Sequence, residues 1–269
     1  MKRIRILSAF ATSPLIAATT FVASAAAAPA TFHPPIAALN ANQSNNWSGY
    51  NQGQLEKGTA FHSVAGDWIV PKATAHKAKE AEYSATWTGI GGGCIDANCV
   101  LTDSTLIQAG TEQDVDSSGR ASYSAWWETI PAPAIDVSLP VTAGNHIHVA
   151  ITEGAPQVWT ITIANLTTGQ SFSATVPYSS SYTTAEWIEE TPVVVGSSGA
   201  QVGPLPNLST VGFDLSTTNG TNAALVSSEQ MQLVDFNGAV LATPSAPDPD
   251  TDGFNDCSYA TACAAPSSS

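Results

Sequence analysis

The chain has 269 residues, with 8 Lys and Arg against 22 Asp and Glu, a formal net charge of −14 and 43% hydrophobic residues. It is long enough to bury a full hydrophobic core, and its 7 Trp, 6 Tyr and 8 Phe argue against a disordered chain. So few basic residues leave little to neutralise phosphates or lipid headgroups, which argues against nucleic-acid and membrane-surface partners.

The N-terminal residues 1–28 have the features of a secretory signal. Three basic residues lie within the first five, a mostly apolar run from Ile6 to Val22 follows, and small residues from Ala23 onward offer a cleavage site. A membrane anchor is the alternative, but small and polar residues interrupt the run and no second hydrophobic span follows. The pattern therefore predicts cleavage and a secreted, extracellular protein.

The four cysteines fall into two local pairs, Cys94 with Cys99 and Cys257 with Cys263. In a secreted protein this spacing suggests two small disulfide loops, although three connectivities are formally possible. The spacings do not match the usual zinc pairs, so we expect no metal and no other cofactor.

Three further segments are expected after the signal. Residues 29–45 are rich in Pro, Ala and Asn without a core-forming pattern, which is typical of a leader or short pro-segment. Residues 46–243 consist of short strand-like runs rich in Val, Ile, Thr, Tyr and Trp, separated by turn residues. Residues 244–269 begin Pro- and Asp-rich and are expected to form an acidic tail tied by Cys257 and Cys263.

The strand-like runs determine the fold class. Trp159 to Ile163 alternates apolar and polar residues, Asn237-Gly238 is a strong hairpin signal, and helical periodicity is nearly absent. Many strands joined by turns without crossover helices predict an all-β fold, an antiparallel β-sandwich or barrel. We expect a monomer built as an antiparallel β-sandwich of two large sheets, of the concanavalin or lectin kind.

Polar residues inside apolar strands are the candidate functional positions. Gln108 shares an alternating face with Leu106, Glu128 follows Trp126-Trp127, and Glu186 shares a face with Ile188. The alternative is that these strands are half exposed and the side chains point to solvent. A buried carboxylate costs free energy unless it is paired, so we take these three residues as functional candidates.

The common hydrolase signatures have no support. The chain contains no Gly-x-Ser-x-Gly elbow, no His-Glu-x-x-His pair and no Asp-Thr-Gly pair, and each cysteine has a plausible partner. The sequence therefore gives no indication of serine, zinc, cysteine or aspartic peptidase chemistry.

Four motifs carry a family resemblance. They are Trp87-Thr88-Gly89-Ile90-Gly91-Gly92, Leu106-Ile107-Gln108-Ala109-Gly110, Tyr123-Ser124-Ala125-Trp126-Trp127-Glu128 and Ala185-Glu186-Trp187-Ile188. In order and spacing they resemble the glutamic peptidase family, also called eqolisins, over about residues 45 to 240. The resemblance implies a sandwich of two large antiparallel sheets and polypeptide substrates.

By resemblance, Gln108 and Glu186 form the catalytic dyad. Glu186 would be the general base and acid that activates water, and Gln108 would stabilise the oxyanion. Trp87 and Glu128 match positions that line the substrate cleft, although a Trp is more often core and Glu128 lies near a strand end. A glutamate base with a reference pKa of about 4.3 suits acidic solution, so we expect a secreted, acid-acting endopeptidase.

Two departures from the family pattern bear on regulation and specificity. Some members have Asp where this chain has Gly91 and Ser124. No substrate preference that depends on those aspartates is therefore inferred for this chain. Fungal members carry a long pro-segment, whereas here few residues separate the signal from Trp47, so we expect zymogen inhibition to be weak or absent.

Two other functions remain open at this point. A carbohydrate-binding or glycoside-hydrolysing protein would use Glu128 and Glu186 as paired carboxylates, with tryptophans stacking on sugars. A catalytically silent homologue would bind peptides only.

Two possible metal sites are weighed as well. Asp248, Asp250, Asp252 and Asp256 resemble the start of a calcium loop, but Tyr259 stands where a bidentate Glu belongs, so calcium binding stays open. His146 and His148 are interpreted as a surface or satisfied pair.

Overall fold

A computed structural model describes residues 30–196 and 199–267. The predicted secretory signal lies outside the described residues. Two short helical segments are present in the described part, α1 (Gln54–Lys57) and a single 3₁₀ turn (Ser227–Glu229). In chain order the strands are β1 (Ala30–Phe32), β2 (Ala38–Asn40), β3 (Gln43–Ser44), β4 (Trp47–Gly53), β5 (Ser63–Ile69), β6 (Ala73–Thr74), β7 (Ala85–Gly91), β8 (Leu106–Val115), β9 (Ala121–Thr129), β10 (Ile135–Val137), β11 (His146–Ala155), β12 (Val158–Asn165), β13 (Gln170–Pro177), β14 (Thr184–Glu190), β15 (Val193–Gly196), β16 (Gly199–Val202), β17 (Asn207–Leu208), β18 (Val211–Thr218), β19 (Thr221–Asn222), β20 (Gln230–Val234), β21 (Val240–Pro244) and β22 (Phe254–Ser258).

The large strands form two antiparallel layers that are joined along one edge. The first layer has the order β10-β9-β8-β7-β14-β4-β20. The second has the order β13-β12-β11-β5-β18-β22-β21-β20. Because β20 pairs with both β4 and β21, the sheet is continuous and nearly barrel-like. The predicted all-β, antiparallel class is confirmed, with the two layers joined into one sheet.

The main core lies between the two layers. Trp187 and Ile107 from the first layer pack in one cluster with Trp68 and Trp159 from the second. Along β12 the alternation predicted from the sequence holds, since Trp159 and the two isoleucines after it are fully buried. Trp187 and Ile107 point into this interior, so Glu186 and Gln108, which alternate with such residues along β14 and β8, lie on the other face of the first layer.

The C-terminal segment differs from the expected tail. Strand β22 pairs with β18 and β21 and completes the second layer. Phe254 is fully buried, with its ring centroid 4.6 Å from that of Phe213 and 4.5 Å from that of Tyr50. The Asp- and Pro-rich composition around residue 250 concealed this strand, because one buried aromatic anchors a segment that otherwise resembles a loop.

The N-terminal segment also differs from expectation. From residue 30 onward the predicted leader is packed on the protein, with β1 paired antiparallel to β15 and β2 to β3. His33 is fully buried, and the amide of Ile36 donates to the carbonyl of Gly92 at 2.9 Å. The packed structure therefore begins well before Trp47, and this segment lies over the outer face of the first layer.

The cysteines pair as their spacing suggests. Cys94 bonds to Cys99 and Cys257 to Cys263. Two disulfides fit an oxidising, extracellular environment. Within residues 30–196 and 199–267, no helix has the length and apolar character needed to cross a membrane.

Replacing Phe254 with Ala should lower the free energy of unfolding by about 3–5 kcal/mol, because the change removes a buried ring and leaves a cavity. Chemical denaturation followed by tryptophan fluorescence measures the effect. Phe236→Ala is the matched control, since that ring is 77% exposed, and it should change stability by about 0.5 kcal/mol or less. Equal stability of the two variants would contradict the integration of β22 into the core.

Candidate active site

The outer face of the first layer carries the candidate residues. In β14, Ala185 and Trp187 point into the core, so the alternating residues Glu186 and Glu190 point to the outer face. Both glutamates are nevertheless fully buried, because the N-terminal segment and the loop after β7 cover this face.

Strand register places the candidates in one row across five strands. Glu186 of β14 is paired with Asn51 of β4 on one side and with Gly89 of β7 on the other. Gly89 is paired in turn with Gln108 of β8, which is paired with Glu128 of β9. Neighbouring strands lie about 4.8 Å apart, so the Cα atoms of Glu186 and Gln108 are about 10 Å apart. Their side chains face each other across Gly89, which has no side chain.

Gly89 keeps the space between the two side chains free. A Cβ atom at this position would lie 3.0 Å from the carbonyl oxygen of Ile107 and 3.1 Å from both Cβ of Gln108 and the ring of Trp87. A larger side chain would fill the gap over β7. Glycine therefore allows a small group, such as a water or a carbonyl, to lie between the carboxyl and the amide.

Gln108 has a defined amide orientation. Its Nε2 donates to the backbone carbonyl of His33 at 2.7 Å and to Oε2 of Glu128 at 2.9 Å. A backbone carbonyl can only accept, so the NH₂ end of the amide must be the end that faces His33. Glu128 holds this amide from the side by accepting one N–H, and the other N–H is directed at the carbonyl of His33, which covers the row.

Glu186 lies under the loop that follows β7. Neither carboxyl oxygen has a hydrogen-bond partner among the residues that the structure describes. A Cβ atom at Gly93 would overlap Oδ1 of Asn51 and lie 2.7 Å from Oε1 of Glu186. Asn51 fixes this loop by donating to the carbonyl of Cys94 at 2.9 Å and accepting from its amide at 2.7 Å.

Trp87 borders the row of candidates. It lies on the same face of β7 as Gly89, and it is fully buried. Its ring packs edge-on against Trp47, with 4.9 Å between centroids, and its Nε1 donates to Oε2 of Glu190 at 2.9 Å. The sequence did not indicate Trp47 and Glu190 as site residues. Strand alternation could have indicated Glu190, because a residue four positions after Glu186 in a strand lies on the same face.

A second pocket lies beside the row and holds the side chain of His33. The imidazole stacks on Trp126 with 3.8 Å between ring centroids and 6° between planes. Its Nδ1 lies 3.0 Å from Oε2 of Glu190, and its Nε2 lies 3.4 Å from Oε1 of Glu112. No sequence pattern pointed to His33, because it belongs to the segment expected to be a leader.

The buried carboxyl groups have shifted pKa values. Burial raises the pKa of Glu186 well above its ordinary value, and it raises that of Glu128 to about 8. Burial also raises the pKa of Glu189, on the core side of the same layer. It raises the pKa of Asp256, in β22 of the second layer, to about 7. Burial favours the neutral form of each group, because a protonated carboxyl can be buried without removing water from a charge.

The acidic cluster differs from the calcium loop considered from the sequence. Among the described residues, carboxylate oxygens of Asp214, Asp248 and Asp252 lie within 4.8 Å of one another. Asp256 is not part of this group, because its Oδ2 accepts from Ser48 at 2.6 Å in the interior.

His146 and His148 are a satisfied pair. Nε2 of His146 lies 2.8 Å from one oxygen of Asp67, and Nδ1 of His148 lies 2.6 Å from the other. This arrangement agrees with the interpretation favoured from the sequence.

The geometry can be compared with known proteins. The family described as the peptidase A4 family matches residues 45–252. The chain belongs to this family. The matched range includes all four candidate residues, and the predicted relationship to glutamic peptidases is confirmed.

Individual relatives agree with this assignment. The chain is 30% identical to aspergillopepsin-2 of Aspergillus niger over 173 residues, which covers 56% of this chain and 57% of that protein. It thus spans little more than half the length of that relative. The structure of aspergilloglutamic peptidase from Aspergillus niger aligns with a TM-score of 0.51 at 26% identity, over 66% of this chain and 99% of that one.

A second solved structure supports the fold. Scytalido-glutamic peptidase with a transition state analog inhibitor aligns with a TM-score of 0.62 at 22% identity, over 80% of this chain and 98% of that one. The peptidase A4 match begins at residue 45 and leaves out the packed segment that carries His33.

Buried carboxyls with a raised pKa contribute stability in acid rather than at neutral pH. The pKa of Asp256 is raised to about 7 in the fold, above its ordinary value. Its contribution to stability is therefore fully present below about pH 4 and is lost as the pH rises through 7. Asp256→Asn should increase the free energy of unfolding at pH 8 by on the order of 2–3 kcal/mol and change it little at pH 4.

Denaturant midpoints measured at both pH values test this expectation. Glu80→Gln serves as the control, since Glu80 forms a surface ion pair with Lys77 at 3.4 Å, and it should leave the pH dependence unchanged. An Asp256→Asn protein with the same pH dependence as the original would show that this carboxyl does not control acid stability.

Proposed function

We propose that this chain is a secreted endopeptidase that hydrolyses peptide bonds in acidic solution with a dyad of Glu186 and Gln108. The observation that carries the proposal is the row in which the carboxyl and the amide face each other across Gly89. Membership of the peptidase A4 family supports the reaction class. The two disulfides support an extracellular site of action.

Glu186 supplies the proton transfers in this proposal. As the carboxylate, it takes a proton from a water whose oxygen attacks the carbonyl carbon of the scissile bond. It then gives that proton to the leaving nitrogen while the C–N bond breaks. The products are a carboxylic acid and an amine, and no covalent enzyme intermediate forms.

Gln108 stabilises the negative charge that develops on the carbonyl oxygen. Its Nε2 already donates to a peptide carbonyl, that of His33, at 2.7 Å, which is the contact an oxyanion would make. Glu128 acts as a positioning residue, since its Oε2 accepts from the same amide nitrogen and fixes the direction of the donor. The buried ring of Trp87 borders Gln108 and Glu128 on this face of the sheet.

The proposal of acid action depends on the ionisation of Glu186. Under the covering loop and the N-terminal segment, burial raises its pKa and favours the protonated form, which cannot act as a base. Contact with water on opening of the cleft brings the pKa back toward about 4.3. Activity is then expected in acid, near the point where the base and acid forms of one carboxyl coexist.

The alternative of a carbohydrate-active protein receives less support. It required Glu128 and Glu186 to act as a pair, but two strands separate them and Gln108 lies between. In that reading the amide of Gln108 has no role. Family membership favours the peptidase.

Glu186→Gln should reduce cleavage of a denatured protein by about 10²- to 10⁴-fold, because it removes the base and acid while keeping the shape of the side chain. Fragments are identified by mass spectrometry after incubation across pH 2 to 8. Gln108→Ala should reduce cleavage by about 10²- to 10³-fold through loss of the oxyanion donor.

The matched control is Glu189→Gln, which alters a buried glutamate on the opposite face of the same strand. Glu189 contacts Thr86 at 2.6 Å on the core side and has no contact with the row. It should keep the original activity. Undiminished cleavage by Glu186→Gln would eliminate the proposed dyad.

A further inference from the structure

The second layer carries a cluster of three aspartates on the face that points away from the core. Asp214 follows the buried Phe213 in β18, so its side chain alternates to the outer face. Asp248 and Asp252 lie in the segment between β21 and β22. One carboxylate oxygen from each of the three lies within 4.8 Å of the other two. The cluster therefore joins two segments that are far apart in the chain.

This cluster is separate from the candidate active site. Strand β18 belongs to the second layer, where it pairs with β5 and β22. The row of Glu186 and Gln108 lies on the outer face of the first layer, and the main core separates the two. The proposed reaction uses none of the three aspartates, so it gives no reason for their convergence.

The negative charge of the cluster lacks a protein counter-charge in the described part of the chain. Within residues 30–196 and 199–267, none of the three aspartates forms an ion pair with Lys, Arg or His. His146 lines the same pocket as Asp214 and Asp248, but it is bound to Asp67 at 2.8 Å. Buried carboxylates are normally paired with a cation or bound to a metal ion.

The carboxyl of Asp252 gives a second indication of a ligand. The residue is only 9% exposed, and its carboxyl lies against that of Asp214. Its Oδ2 accepts from Nδ2 of Asn222 at 3.2 Å. Its Oδ1 is buried and has no hydrogen-bond partner among the residues that the structure describes. A buried acceptor without a partner costs free energy, and a cation held between the carboxylates would satisfy it.

We propose that Asp214, Asp248 and Asp252 form a binding site for Ca²⁺ that ties β18 to the segment before β22. Calcium binds oxygen ligands at about 2.3–2.6 Å, so oxygens on opposite sides of one ion lie about 4.6–5.2 Å apart. The limit of 4.8 Å within which the three oxygens lie fits this span. Mg²⁺ holds its oxygens at about 2.0–2.1 Å in a strict octahedron, which requires a smaller set.

Each carboxylate has one oxygen engaged by the protein and one left for the ion. Oδ1 of Asp214 accepts from the amide of Leu215 at 2.8 Å. Oδ1 of Asp248 accepts from the amides of Asp252 and Gly253 at 3.2 and 3.1 Å. These contacts fix the direction of the second oxygen of each group. With three protein ligands, water would supply the remaining positions of a calcium ion.

Gly253 keeps the second oxygen of Asp248 accessible. A Cβ atom at this position would lie 2.5 Å from that oxygen, Oδ2. Any other residue would push the carboxylate away from its place in the cluster. The glycine of the Asp-rich segment is therefore explained by the close approach of a carboxylate.

Repulsion within the cluster supports a cation at this place. Burial and the negative charges of Asp250, Asp214 and Asp248 raise the pKa of Asp252 to about 6. Burial and the charge of Asp250 also raise the pKa of Asp248. Asp250 thus adds a fourth carboxylate beside the three, and a divalent cation would relieve the repulsion between them.

The site differs from the calcium loop considered from the sequence. That pattern used residues of one segment only and ended at Asp256, which is bound to Ser48 in the interior. Asp214 takes part instead, because the pairing of β18 with β22 brings it to the segment. An ion here would fix the approach to β22, whose Phe254 is buried in the core. Calcium is therefore expected to act on stability and not on the reaction.

Calorimetric titration of the full chain with CaCl₂ tests the inference. We would use the Glu186→Gln chain to prevent self-cleavage, treated with a chelator and dialysed at pH 7.5 in about 0.15 M salt. One Ca²⁺ should bind per chain with a Kd of about 1 mM or lower. In about 10 mM CaCl₂ the melting temperature should rise by at least about 3 °C. The same concentration of MgCl₂ should raise it by less than about 1 °C.

Asp214→Asn and Asp252→Asn should each weaken calcium binding at least about tenfold. Each removes one charge from a repulsive cluster, so without calcium both variants should melt no lower than the original chain. This comparison separates loss of the site from loss of the fold. Asp235→Asn is the matched control, since Asp235 is exposed and accepts the amide of Ala239 at 2.8 Å in a similar turn contact. It should bind calcium as the original chain does.

Three results would overturn the site. They are the absence of calcium binding by the original chain, an equal response to magnesium, and undiminished binding by both cluster variants. None of them bears on the row of Glu186 and Gln108, so the proposed peptidase activity would stand or fall by its own test.

Discussion

The candidate site depends on the register of β7 between β14 and β8. Gly89 is paired with Glu186 on one side and Gln108 on the other, and this pairing alone makes the two side chains neighbours. A slip by one residue would turn the side chains of a strand to the opposite face. The apolar alternation that buries Trp187 and Ile107 in the core resists such a slip. The site is therefore held by the same packing that stabilises the fold.

Covering this face has an electrostatic consequence. Glu186 lies under the loop fixed by Asn51, and its oxygens have no partner among the described residues. A charge there would be costly, so burial favours the neutral form of the covered carboxyl. In the proposed function, Glu186 can therefore act as a base only where water reaches it.

The sequence predicted the fold class, and the strand register brings the candidate residues that it indicated into one row. Alternation in strands such as β12 is a local signal, and the motifs around Gln108 and Glu186 are short and contiguous. It could not predict the roles of β1 and β22, since each is a short strand with a single fully buried ring, that of His33 directly after β1 and that of Phe254 within β22. Such anchoring depends on distant partners, Trp126 for one and Phe213 for the other, and composition does not reveal it.

The acidic composition and the buried carboxyls act in the same direction. With 8 Lys and Arg in the whole chain, few ion pairs can be lost in acid, and Asp256 and Glu189 inside the fold favour protonation. The contacts of His33 with Glu190 and Glu112 are among the few cation–carboxyl contacts of the fold, together with that of Lys57 with Glu229. Protonation of Asp256 and Glu189 stabilises the interior in acid, because a neutral carboxyl is buried there without desolvation of a charge.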